Sequence, residues 1–220
     1  MDGYALPFRY NRKEGDGGGV LVYVREDITC RELKDYSYDN LEGIFIEINL
    51  RKTKYLLFGG YNNCKSNIST FLRCIGLTLD YYMCKLENFI LLGDFNSEIS
   101  ENAMKEFCDT YYLKNLVKEA TCYKNPLNPS TIDLILTNRI RSFTNTKNVE
   151  TGLSDHHQMT ISVLKTGDLE PRCHTRDTEP PSPPLTNLAE PLFSFVWSGY
   201  TKHFETRFAQ TQSVLRSYDF

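Results

Sequence analysis

Two short polar clusters, each set against an apolar run, carry the side chains of this chain that could do chemistry. In Ile90-Leu-Leu-Gly-Asp-Phe-Asn96 an apolar run breaks at Gly93 and delivers Asp94 and Asn96 at the end of a strand. In a pleat, positions i and i+2 point to the same side, so both groups could reach one ligand. Well downstream, Ser154-Asp155-His156-His157 is followed by a second apolar stretch. A Gly-Asp-x-Asn turn is by itself a common way to leave a strand. The two clusters together, in this order and this strand context, point to a shared site.

Two further residues belong with them. Asp133 lies inside Thr131-Ile-Asp-Leu-Ile-Leu-Thr137, where a carboxylate is costly unless paired, and Tyr61 follows the Gly59-Gly60 end of another strand. Water attacks a phosphodiester only when something activates the water, neutralises the phosphate and protonates the leaving group. His156 could serve as base or hold the phosphate when protonated, and a buried Asp133 could fix its tautomer. Asp155 offers a hard oxygen ligand for Mg²⁺. Asp94 could orient water or act as acid, while Asn96 and Tyr61 could donate to phosphate oxygens. Each has a plainer alternative: Asp133 a structural hydrogen-bonding residue, His156 a satisfied histidine, Tyr61 a turn aromatic, Asp155 a solvated loop acid. His157 is read as structural.

The elements that must position these groups are legible from periodicity. Val20–Val24, Ile44–Ile48, Lys54–Phe58, Phe89–Leu92 and Gln158–Leu164 read as strands, as does the segment around Asp133. Ile68, Phe71, Leu72, Ile75, Leu79, Tyr82 and Met83 form one helical stripe, with Ser66 or Asn67 as cap. A shorter helix starting at Ser100 would turn Met104, Phe107 and Tyr111 inward, with Glu101 complementing its N-terminal dipole. Strands alternating with few helices predict a mixed-sheet, layered α/β (α+β) domain.

Composition narrows the rest. The 220 residues suit one domain with a tail, and 40% hydrophobic residues supply a core. A net charge of −3 gives no global attraction to nucleic acid, so phosphate binding needs a local site. Arg139 and Arg141 are the cationic pair nearest the Asp133 strand, and such pairs are also ordinary solvated loop charges. Seven cysteines at spacings unlike zinc or redox motifs read as reduced, mostly buried thiols. No apolar run reaches the roughly 18 residues of a membrane span, and the start is no signal peptide, so an intracellular, nuclear or cytoplasmic protein is expected. Residues 166–220, opening with the Pro-rich Glu179-Pro-Pro-Ser-Pro-Pro184 linker, read as an unassigned, disordered tail after a domain at 1–165.

Gly17-Gly-Gly-Val-Leu-Val-Tyr-Val24, the strand leading to Tyr61, Ile90–Asn96, Ser130–Leu136 and Ser154-Asp-His156 follow one another as in the endonuclease/exonuclease/phosphatase superfamily. The chain most resembles the apurinic-type endonuclease domain of non-LTR retrotransposons, over residues 3–165. The resemblance implies a four-layered α/β sandwich of the DNase I-like type, Mg²⁺-dependent phosphodiester cleavage, DNA as partner and a downstream reverse transcriptase in the parent element. It also implies that Asp94 activates water, Asn96 and Tyr61 contact the phosphate, His156 engages it, Asp133 buttresses His156, and Asp155 lies at the metal site. Related members act on phosphoinositides, sphingomyelin or RNA tails, so a different phosphodiester is an alternative.

The departures from the family pattern carry expectations too. The usual first strands, bearing a metal-site Asn and the principal metal-ligand Glu, have no counterpart before Gly17, and Glu14 is a poor substitute. Asn62-Asn63 replaces the prolines usual after the family tyrosine. Weak Mg²⁺ affinity, impaired catalysis and a bare sheet edge are therefore expected. The alternative is a non-catalytic remnant or partner-binding pseudoenzyme.

Overall fold

The central element is a six-stranded mixed sheet in the order β3-β4-β5-β6-β8-β7. Its strands are β3 (Thr29–Glu32), β4 (Glu42–Leu50), β5 (Thr53–Tyr61), β6 (Asn88–Asp94), β7 (Lys114–Asn115) and β8 (Asp133–Thr137). The computed structural model describes residues 3–12, 19–34, 38, 41–50, 53–63, 67–150, 156, 158–164 and 193–197. Only β5 and β6 run parallel; the other neighbours are antiparallel. Parallel neighbours need a crossover, which helix α1 (Ile68–Tyr82) supplies.

Alternation along the strands divides the core in two. From β6, Phe89 and Leu91 face one way, onto α1 and α2 (Asn102–Thr110), among Phe58, Phe71, Ile75 and Phe107. Ile90 and Leu92 face the other way, among Val20, Val22, Ile46 and Leu57. That second face is covered by a smaller sheet in the order β1-β2-β11: β1 (Phe8–Asn11), β2 (Gly19–Val24) and β11 (Phe193–Trp197). A hairpin of β9 (Phe143–Glu150) and β10 (Gln158–Leu164) follows β8. The chain thus folds as the expected α/β sandwich. Helices, main sheet and smaller sheet form three layers among the described residues.

Several expectations are corrected in detail. β5 does not end at Gly59-Gly60 but continues to Tyr61, staying paired with β4 and β6 throughout, while the Phe58 ring fills the space that side chains at Gly60 and Gly43 would need. β6 does not break at Gly93 but runs on to Asp94. Gly93 has φ +142, and a Cβ there would overlap the Gly60 carbonyl opposite, so the strands approach closely only because the residue is glycine. Asp133 opens its strand and is not interior to it. Asn67 caps α1, its carboxamide oxygen accepting from the Ser69 N–H. The second helix takes Glu101 as its cap position instead of Ser100. Ser100 Oγ is 3.4 Å from a Glu98 oxygen, and the Glu101 carboxylate accepts from the Glu98 N–H. β2 has a neighbour on each side, β11 coming from the segment read as tail, so the bare edge expected is not found there.

Among the described residues no helix is long and apolar enough to cross a membrane.

Candidate active site

Strand register places four functional side chains side by side across the main sheet. Glu42 pairs with Tyr61, Tyr61 with Asp94, and Asp94 with Asp133, giving one row over β4, β5, β6 and β8. Residues paired across neighbouring strands project to the same face. Their face is that of Ile44, Leu57, Leu92 and Ile135, which is the face covered by the smaller sheet. β5 and β6 finish at this row while β4 and β8 begin at it, so the groups occupy one rim of the sandwich.

Asp94 is the most deeply set of them, 1% exposed. Its Oδ1 accepts from the Asn96 N–H at 2.8 Å and its Oδ2 from the Asn96 carboxamide at 3.1 Å. This Asx turn, not the pleat, brings the two residues together: Asn96 lies beyond the strand with φ +46, a conformation Asn tolerates. Between them Phe95 is fully buried on the helix side, its ring edge-on to Phe71 at 5.8 Å, which anchors the turn. Burial, followed by the neighbouring Asp133 charge, pushes the Asp94 carboxyl up to about 7, against the opposing influence of His156 and the Asn96 bonds.

Asn62 completes this turn and was not anticipated as a site residue. Its N–H donates to the Asp94 carbonyl at 2.8 Å, its carboxamide donates to the Phe95 carbonyl at 2.9 Å, and its own carbonyl accepts from Asn96 Nδ2 at 2.7 Å. Both N–H bonds of the Asn96 carboxamide are therefore directed inward, to Asn62 and Asp94. The only sequence signal was the Asn62-Asn63 departure from the family prolines, and a proline at 62 could not make the first of these bonds.

The other half of the site is assembled from distant segments. His156 Nδ1 lies 2.9 Å from Asp133 Oδ2, with both side chains largely buried. Asp133 is set by the loop before it: Thr121 Oγ1 accepts from the Ile132 N–H at 3.2 Å and the Asp133 N–H at 3.0 Å. The Phe95 N–H donates to the Ile132 carbonyl, tying the two halves together. One ligand atom each from Asp94, Asp133 and His156 fall within 4.8 Å of one another, a grouping that could hold a metal ion. Two carboxylates are hard oxygen donors suited to a divalent cation, and the crowding that raises the Asp94 carboxyl is what such a cation would relieve.

The structure thus brings Asp94, Asn96, Asp133, His156 and Tyr61 to one rim. Asp155 and His157, flanking His156, lie outside the described residues. Arg139 and Arg141 sit near the opposite end of β8, past Thr137, and are exposed. Arg12 and Glu42 were likewise not anticipated. Arg12 Nε lies 2.9 Å from Glu42 Oε2, and its guanidinium carbon stands 5.7 Å from the Tyr61 ring centre.

The family model described as Endonuclease/Exonuclease/phosphatase family matches residues 2–156. The chain belongs to that family. Among solved structures it is similar to the endonuclease domain of TRAS1, a telomere-specific non-LTR retrotransposon, at 16% identity and a TM-score of 0.54. That match covers 66% of this chain and 79% of the other. The mannosyl-6-phosphatase Bt3783 of Bacteroides thetaiotaomicron matches at 14% identity and a TM-score of 0.49, over 74% of this chain and 78% of its own. The human Nocturnin catalytic domain matches at 13% identity and a TM-score of 0.43, over 57% of this chain and 53% of its own. At such identities the likeness is one of fold. No curated protein matches the sequence.

Proposed function

We propose that this chain is a divalent-cation-assisted phosphodiester hydrolase acting on DNA, with Mg²⁺ as the cation. The observation that carries this reading is the convergence of Asp94, Asp133 and His156 at one rim, with Tyr61 beside them in the same sheet row. DNA is favoured over other phosphodiesters by the retrotransposon endonuclease domain among the similar folds.

Asp94 handles the water proton: the two bonds from Asn96 hold its carboxylate at the rim, and burial raises its affinity for a proton. Asn96 and Asn62 hold that carboxylate in place, so Asn96 acts by orienting Asp94. A direct bond from its carboxamide N–H to phosphate would cost one of the bonds it already makes. Asp133 fixes the ring of His156, which then presents Nε2 to the scissile phosphate. Tyr61 donates its phenolic proton to a phosphate oxygen. Asp133 and, from its place beside His156 in sequence, Asp155 would hold the cation, which when bound neutralises phosphate charge. Asp133 already serves His156, so cation binding is weak and turnover slow.

The test is nicking of supercoiled plasmid over a Mg²⁺ titration, comparing the parent with Asp94→Ala and His156→Ala. Nicking that requires millimolar Mg²⁺ and falls at least 100-fold in both variants is expected. Equal cutting by all three proteins would overturn the assignment, and no cutting by any would favour a non-catalytic, partner-binding role for the fold.

A further inference from the structure

We propose that Arg12 and Glu42 form a positioning pair that holds the Tyr61 ring at the rim. The proposal rests on the reading of Tyr61 as a phosphate contact and assigns a role to two residues outside the Asp94–Asp133–His156 cluster.

The two partners come from opposite sheets. Arg12 follows β1 of the smaller sheet, two residues beyond Tyr10, which with Phe8 packs into the core between the sheets. Glu42 is the first residue of β4 in the main sheet and the cross-strand partner of Tyr61. The ion pair at 2.9 Å therefore bridges the sandwich at its open rim, beside the row that ends in Asp94 and Asp133. Both side chains are about four-fifths buried, at 19% and 20% exposure, so the pair is shielded from solvent screening.

The geometry is not that of an optimised ion pair. Glu42 Oε2 is buried, and among the described residues no N–H, that of the nearby Arg12 Nε included, meets it in good hydrogen-bond geometry. Burial pushes the Glu42 carboxyl up and Arg12 opposes this without cancelling it. A pair kept for stability alone would align its donors or be replaced by apolar side chains. Here the guanidinium instead stands over the Tyr61 ring, 5.7 Å from its centre, within cation–π range. Glu42 holds the cation, the cation holds the ring, and the ring stays on the face that Asp94 shares.

The test uses the full chain with ring-¹³C tyrosine and reads the Tyr61 ring signal, assigned through Tyr61→Phe. Tyr55 and Tyr82, buried in the two cores, report on whether each variant is folded. Arg12→Met keeps the aliphatic stem and removes the cation, and it is expected to shift the Tyr61 signal while leaving Tyr55 and Tyr82 in place. Arg12→Lys, which keeps a cation, and the double swap Arg12→Glu with Glu42→Arg, which restores an ion pair, should each recover part of the shift. An unchanged Tyr61 signal in folded Arg12→Met overturns the proposal, as does a shift that neither restoring variant reduces. Titration with inorganic phosphate separates this from the functional reading. Arg12→Met should weaken phosphate binding by roughly 2- to 30-fold, the range the cation–ring attraction supports. If the ring signal moves as expected while phosphate affinity does not, the positioning pair stands and the role of Tyr61 as phosphate contact falls.

Discussion

The two halves of the site are built on different principles. The Asp94–Asn96 half is local: three consecutive residues, an Asx turn, a buried Phe95 beneath it and Asn62, just past the end of β5, bonded to it. The Asp133–His156 half joins two segments 23 residues apart in sequence through a 2.9 Å contact. One half is built within a single turn, whereas the other takes Asp133 from the start of β8 and His156 from between β9 and β10. The carboxylate of the local half is raised first by its burial and second by the neighbouring Asp133 charge. A preorganised group stores electrostatic cost, and an assembled group does not.

Breaking the local half should have the largest effect. Gly93→Ala forces a Cβ into the Gly60 carbonyl at a positive φ, so a loss of about 3–5 kcal/mol is expected. Urea unfolding measures it, and a loss under about 1 kcal/mol would mean that β5 and β6 can separate there at little cost.

Breaking the assembled half should instead leave the fold intact. Asp133→Asn keeps the strand start on Thr121 but offers His156 a carboxamide in place of a carboxylate. Phosphodiesterase activity should fall roughly 10- to 100-fold with little change in melting temperature. A large drop in melting temperature would show that this half, too, is structural.

The stored cost itself can be measured. Asp94 is raised from 3.8 to about 7 in the folded chain. Between those values the folded state keeps a proton that the unfolded state has released, so stability falls as pH rises from about 4 to about 7. Asp94→Asn removes that titration. In EDTA it should therefore stabilise the chain relative to the parent at pH 8, by on the order of 4 kcal/mol, and give no such gain at pH 4. Parallel pH–stability curves for parent and variant would show that the crowding is not real.

Which parts were legible in the sequence follows the same division. The α1 stripe, the apolar body of β6 and the Gly-Asp-Phe-Asn turn are local patterns, and each is found in place. The strands β1 and β3, of four residues each, and β7, of two, are too short for their alternation to stand out from the surrounding sequence. Ser100 does not cap the second helix because its hydroxyl faces Glu98 instead, and the helix begins one residue later with Glu101 at the cap position. Thr121, Arg12 and Glu42 carried no signal as site residues, and Asn62 only its departure from the family prolines. Their importance comes from register and from the approach of two sheets, and neither leaves a mark on neighbouring positions along the chain.

The row from Glu42 to Asp133 stands where two strands stop and two start. At the far side of the same sheet, where Leu50 turns to Thr53 and where Asn88 and Thr137 lie, none of its members is present. A surface anchor attached at Thr53, the residue paired with Leu50 at that end, would sit a full strand length from the reacting groups. That position is the natural handle for immobilising this chain without touching its chemistry.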